Sequence, residues 1–176
     1  MKRSVEWWDE WFLGMAAYVA TASKDPSTHV GCVLARPDKS IASVGFNGFP
    51  KGVEDRPEWL NNREEKLKRM VHGELNAILN AHEPVDGYTL YNWPGRSCSR
   101  CAVHVIQAGV VRVVSAYDAN SPFEQRWKED MDLGEELFRS ADVEVVNFEC
   151  ITDPHALRTH KMIDGAGNEA EVLTLM

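Results

Sequence analysis

The chain has 176 residues, 44% of them hydrophobic and 26% charged, and carries a formal net charge of −8. That length suits one domain with a single core, and the balance is that of a globular protein. The acidic charge weighs against a long polynucleotide partner, which normally meets a basic face, and no stretch is long and apolar enough to span a membrane. A mononucleotide needs only one or two local cations and stays open.

Trp8, Phe12, Met15 and Val19 recur at helical spacing, so residues 5–22 are predicted to form an amphipathic helix. Lys2-Arg3 before it and Ala20-Thr21-Ala22 after it faintly resemble a secretory leader, but Glu6, Asp9 and Glu10 interrupt the apolar run. Residues 23–28 form a polar loop with a proline. Residues 29–36 alternate as a strand, with Val30, Cys32 and Leu34 on one face and Val33 and Ala35 on the other. Turn residues 37–40 lead to a returning strand at 41–46, giving a hairpin. Asn47-Gly48-Phe49-Pro50-Lys51-Gly52 is then either an ordinary loop or a binding loop in which Asn47 both donates and accepts hydrogen bonds.

Residues 57–69 are expected to be a polar, exposed helix, with Arg63 to Arg69 interleaved with Glu64 and Glu65 as a solvated face. A helix over 72–82 would bury Leu75, Ile78 and Leu79. After a turn at 84–87, residues 88–92 alternate as a strand, and Trp93-Pro94-Gly95-Arg96 leads to a helix that begins near Cys98 and stops at Gly109. Residues 110–115 are a valine-rich strand buried on both faces. Ser121-Pro122-Phe123-Glu124 is a capping box opening a helix over 122–139, and 143–148 is the last strand. An opening hairpin followed by alternating helices and strands argues for a three-layer α/β/α sandwich on a mixed five-stranded sheet. The domain is placed at 1–150; residues 151–176 are a C-terminal extension, partly ordered or packed on a neighbouring subunit.

Two segments carry chemistry: Val71-His72-Gly73-Glu74-Leu75-Asn76 and Ser97-Cys98-Ser99-Arg100-Cys101. His72, Cys98 and Cys101 make three nitrogen and sulfur ligands, the set a catalytic zinc uses while leaving its fourth position to water. Two cysteines three apart in the first turn of a helix share a face, and the positive end of the helix dipole favours thiolates there. Glu74, two residues from His72, can stand beside a metal-bound water. This arrangement resembles H-x-E followed by P-C-x-x-C, the signature of zinc nucleobase deaminases, with Ser97 in the place of the proline. A redox pair would explain the cysteines but not His72 or Glu74; a structural zinc would need a fourth ligand, for which His104 is the best candidate. His82, His155 and His160 are ordinary lone histidines. Of the four cysteines, Cys32 is a buried small residue and Cys150 has no obvious partner, and a thiolate metal site fits a reducing cytosol.

Over residues 8–148 the chain resembles the deoxycytidylate (dCMP) deaminase family of the zinc-dependent cytidine deaminase superfamily. The resemblance rests on Ser23-Lys24-Asp25-Pro26 with Val30-Gly31, on Gly45-Phe46-Asn47-Gly48-Phe49-Pro50-Lys51-Gly52, on His72-Gly73-Glu74-Leu75-Asn76-Ala77-Ile78, and on Cys98-Ser99-Arg100-Cys101 with Gln107-Ala108-Gly109. It implies hydrolysis of dCMP to dUMP and ammonia, supplying thymidylate synthesis, with Zn2+ on His72, Cys98 and Cys101 and Glu74 acting as base and then acid. It implies that Asn47 holds the sugar, Tyr117 stacks on the ring, a carbonyl near Ser97 takes the amino group, and Lys24 and Arg126 meet the 5′-phosphate. It further implies a cytoplasmic homo-oligomer, a hexamer or dimer, with dCTP or dTTP and Mg2+ as effectors. Two departures stand out: Gly73 replaces the usual alanine, and Ser97 replaces the usual proline. Rival readings are the same chemistry on cytidine, deoxycytidine or a 5-modified dCMP, and a non-catalytic zinc-stabilised binding protein.

Overall fold

The computed structural model describes residues 3–149, 161–163 and 169–171. Helix α1 (Val5–Ala20) is capped by Ser4, whose hydroxyl accepts from the Trp7 N–H at 3.2 Å. Strands β1 (Gly31–Ala35) and β2 (Ile41–Phe46) form the expected hairpin. Then follow α2 (Pro57–Leu60), α3 (Arg63–Arg69), α4 (Gly73–Asn80), β3 (Thr89–Trp93), α5 (Ser99–Gln107), β4 (Arg112–Tyr117), α6 (Pro122–Ser140) and β5 (Glu144–Glu149). The five strands lie in the order β2-β1-β3-β4-β5, antiparallel across β2-β1-β3 and parallel across β3-β4-β5. The mixed five-stranded sheet is therefore as expected. Short strands β6 (Lys161–Ile163) and β7 (Glu169–Glu171) pair with each other; the rest of the extension expected at 151–176 lies outside the described residues.

The strict alternation of β1 builds two cores. Cys32 and Leu34 join Leu90, Val113, Ala77, Ala102, Val105 and Phe138 beneath α4, α5 and α6. Val33 and Ala35 join Tyr91, Val114 and Ala116 beneath α1, making three layers. The buried stripe of α1 is rotated from the expected one: Phe12, Leu13, Ala16 and Ala20 are fully covered, while Trp8, Met15 and Val19 flank them. The rotation brings Asp9 inward, where it accepts from Arg112 at 2.7 and 2.8 Å and from the Tyr91 hydroxyl at 3.1 Å. A charge buried this way is tolerable because it is paired and hydrogen-bonded.

Two other expectations are corrected. The helix expected over 57–69 is two helices, because Asn62 adopts extended backbone and its side chain accepts from the Glu65 N–H at 3.2 Å, restarting the helix as a cap. In α4 the buried face is Gly73, Glu74 and Ala77, with Ile78 partly covered, while Leu79 is 61% exposed. Small residues decide that rotation: they let α4 lie directly on β2, which turns the carboxylate of Glu74 inward and Leu79 out. No helix among the described residues is long and apolar enough to cross a membrane.

Candidate active site

His72 and Cys98 are the N-cap residues of α4 and α5, both in extended backbone. Cys101 lies three residues into α5, on the same face as Cys98. The two helix starts meet at one end of the sheet, so residues 26 apart in sequence converge. His72 Nδ1 lies 3.2 Å from Cys101 Sγ and 3.4 Å from Cys98 Sγ. One ligand atom from each of the three residues falls within 4.8 Å of the others, and among the described residues His104 is not in this group. Its ring nitrogen faces the Arg100 carbonyl in its own helix at 2.6 Å.

The donor set fits a tetrahedral zinc: Zn–N and Zn–S bonds of ordinary length place nitrogen and sulfur about 3.6 Å apart, close to the separations found. The charges point the same way. A hydrogen bond from Cys101, reinforced by His72, holds the Cys98 thiol down at about 4 against the opposing effect of burial. Its hydrogen bond with Cys98 favours the charged His72 ring, so that pKa is raised. Cys101 is pushed well up, first because it gives its proton to Cys98 and then by burial. Opposed shifts of this kind mark a close cluster of donors that a divalent cation can bind.

Glu74 is 5% exposed and lies in the first turn of α4, two residues from His72. Burial raises its pKa, partly offset by His72. Gly73 beside it is explained by what lies beneath: a Cβ there would stand 2.9 Å from Cys32 Sγ and 3.4 Å from a Val30 methyl.

Above the ligands is a cavity of about 300 Å3, whose walls include Glu74, Asn47, Met70, Phe123, Trp127 and Met131. The loop at 23–30 forms one wall and is fastened from behind. Lys66 Nζ donates to Asp25 Oδ1 at 2.7 Å and to Ser27 Oγ at 2.9 Å, and both ion-pair side chains are only 7% exposed. Asn47 lines the cavity, yet its amide is committed to protein: Nδ2 donates to the Thr28 carbonyl at 2.9 Å, and Oδ1 accepts from the Val30 N–H at 2.8 Å. The solvated face expected at 63–69 is corrected here, since Lys66 points inward. Sequence spacing gave no signal for it, because a buried lysine and a surface lysine look alike until the acid that pairs with it is known.

The other expected contacts divide. Arg126 lines the cavity. Lys24 does not; it is exposed and paired with Asp55 at 2.6 Å. The Tyr117 ring lies under the Arg96 guanidinium, 5.6 Å away, and does not line the cavity. Ser97 is 2% exposed and its hydroxyl accepts from Asn92 Nδ2 at 2.6 Å. Arg63, Lys66 and Arg96 also line the cavity. Lys66 and Arg96 are neutralised by carboxylates, whereas Arg63 and Arg126 have no carboxylate partner among the described residues; Arg63 stands over the Trp127 ring at 5.8 Å.

The model of the cytidine and deoxycytidylate deaminase zinc-binding region matches residues 6–117. The chain belongs to this deaminase family. An uncharacterized deaminase from the luxG 3′ region of Aliivibrio fischeri is 38% identical over 140 residues, covering 78% of this chain and 91% of that protein. The deoxycytidylate deaminase of Mus musculus is 36% identical over 119 residues, covering 63% of this chain; the chain spans 65% of that protein's length. Among solved structures, dCMP deaminase from cyanophage S-TIM5 in complex with dCMP and dUMP superposes with a TM-score of 0.63 at 23% identity, covering 84% of this chain and all (100%) of that one. At that identity the likeness speaks for the fold of this family member.

Proposed function

We propose that the chain deaminates dCMP hydrolytically, giving dUMP, a thymidylate precursor, and ammonia. The observation that carries this reading is a buried carboxylate, Glu74, lining a cavity of nucleotide size beside three converging candidate metal ligands. His72, Cys98 and Cys101 would hold the zinc, which when bound would supply the Lewis acidity that brings the pKa of a water toward neutrality. Glu74 accepts the proton as that water's oxygen attacks C4 of the cytosine. It delivers that proton to N3, then takes the remaining proton of the C4 hydroxyl and delivers it to the departing amine, so that ammonia leaves as the C4 carbonyl forms and one carboxylate serves as base and acid. Burial moves Glu74 toward greater basicity, the direction this task needs.

The substrate-side reading is adjusted to the geometry. The aromatic rings lining the cavity are those of Phe123 and Trp127, and they take the stacking role in place of Tyr117. Asn47 shapes the wall that meets the sugar. Arg126, joined by Arg63, meets the 5′-phosphate, and Lys24 is released from that role by its pairing with Asp55. The similarity to proteins named deoxycytidylate deaminase supports a monophosphate substrate. Self-association is supported by edge strand β2, where Ile41, Val44 and Phe46 are each more than a third exposed. Reduced thiol ligands suit the cytoplasm.

The test is ammonia release from dCMP, deoxycytidine and 5-methyl-dCMP. A strong preference for dCMP over deoxycytidine is expected, reduced at least about 10-fold by Arg63→Ala with Arg126→Ala, since a hydrogen bond to a charged group contributes roughly 1.5–3 kcal/mol. No turnover of any cytosine compound by zinc-loaded protein would overturn the reading.

A further inference from the structure

The turn over residues 94–98, which delivers Cys98 to the metal centre, is fastened to α6 at several points. Arg96 has a side chain only 11% exposed, and its guanidinium spans three α6 carboxylates: Nε donates to Glu124 Oε1 at 2.5 Å, and Nη1 donates to Asp132 Oδ1 at 2.9 Å and Glu135 Oε1 at 3.0 Å. The Ser99 hydroxyl donates to Asp130, also on α6. Gly134 lets the helix approach the turn itself: a Cβ there would lie 2.5 Å from the Ser97 carbonyl oxygen and 3.1 Å from the Cys98 carbonyl carbon. Across the turn, Asn92 holds the Ser97 hydroxyl from β3.

Glu124 shows that this arrangement outranks a local motif. Its own N–H donates to Ser121 Oγ at 3.1 Å, the first half of a capping box. Its carboxylate, which would complete the box by reaching back to the Ser121 N–H, goes to Arg96 instead, and its second oxygen is buried without a hydrogen-bond partner. The other acids carry further cations, Lys128 on Asp132 and Arg139 on Glu135. The side chain of Glu124 is 4% exposed, and Arg96 is its cation.

We propose that Arg96 is a positioning residue for the metal centre: by spanning Glu124, Asp132 and Glu135 it fixes Cys98 relative to His72 and Cys101, and so sets metal affinity and ligand geometry. A planar fork with donors in fixed directions suits this task, and a lysine, with its donors at one point, cannot span the same acids. Without Arg96, the Glu124 carboxylate is left buried and uncompensated, so α6 withdraws from the turn and Cys98 loses its register. The inference rests on the metal-centre reading but not on the identity of the substrate.

The experiment uses full-length protein loaded with zinc or Co2+: wild type, Arg96→Met, Arg96→Lys, Glu124→Gln and, as a control, Arg112→Met. The control breaks a comparable buried pair with Asp9, beneath α1 on the opposite face of the sheet. Zinc affinity is read by competition with a chromophoric chelator, ligand geometry by the Co2+ absorption bands, and folding by thermal unfolding. Arg96→Met is expected to weaken zinc binding about 10- to 100-fold, the usual effect of losing a group that orients a ligand, and to shift the Co2+ bands. Arg96→Lys should fall between, and Arg112→Met should lower the unfolding temperature with metal affinity and bands unchanged. If Arg96→Met does not fold, Arg96→Lys and Glu124→Gln carry the same comparison. Wild-type affinity and bands in whichever of these variants fold would overturn the proposal, as would equal loss in the Arg112 control. Wild-type protein that binds neither metal would remove the metal-centre reading itself, and this inference with it.

Discussion

His72, Cys98 and Cys101 are each placed by a helix start, whereas Asp25, Asn47 and Lys66 reach the same cavity from three segments that share no local pattern. On the metal side, N-cap geometry and i,i+3 spacing present the ligands once two helices form, and only the meeting of α4 with α5 remains to be arranged. On the substrate side, the wall is a loop held by a buried ion pair between residues 41 apart. The difference teaches that chemistry can be written in short motifs, while the container for it depends on long-range pairing of charges.

The largest expected effect separates chemistry from metal binding. Glu74→Gln should keep zinc and lower turnover by about 10²–10⁴-fold, the range of general acid–base catalysis, whereas Cys101→Ala should lose zinc as well; metal analysis beside ammonia assays distinguishes them. Near-normal ammonia release by Glu74→Gln would break the metal-side account. The substrate side is broken by Lys66→Met, which strands the Asp25 carboxylate and should cost about 3–5 kcal/mol in denaturant unfolding. Adding Asp25→Asn to that variant should recover a good part of the loss, because no buried charge then remains; no recovery would mean that the ion pair is not what fastens the wall.

A smaller effect lies beneath the metal. Gly73→Ala pushes a methyl into Cys32 and should destabilise by about 1–3 kcal/mol, the usual cost of overpacking, less the roughly 1 kcal/mol by which alanine favours a helix over glycine. Cys32→Ala in the same chain should relieve the clash, and equal stability of the single and double variants would show that Cys32 is not the obstacle. The smallest effect is expected of Lys24→Ala. An exposed ion pair contributes at most about 1 kcal/mol, so stability and the preference for a phosphorylated substrate should be nearly unchanged. A loss of that preference would return Lys24 to the phosphate.

Where the sequence was misleading, the reasons are specific. Leu79 looks like a core residue by type, but Gly45, Gly73 and Ala77 allow α4 to press on β2 through a different face, and a hydropathy pattern over an eight-residue helix does not fix that rotation. Lys66 looks solvated because its neighbours are charged, and its inward turn follows only from Asp25 on a distant loop. Arg96 carries no motif at all; its three carboxylates are scattered along α6 and converge only when that helix docks through Gly134.

What the amino-acid order determined by itself is the layered sheet architecture and the choice of His72, Cys98, Cys101 and Glu74 as the candidate ligands and acid, because strand alternation, helix starts and i,i+3 spacing act within a few residues. Only the tertiary structure decided which cations face the cavity unpaired, which polar groups are consumed in holding its walls, and how the Cys98 turn is braced. Those outcomes depend on distances between segments far apart in the chain, and a charge or an amide does not carry in its own sequence the partner that will neutralise it.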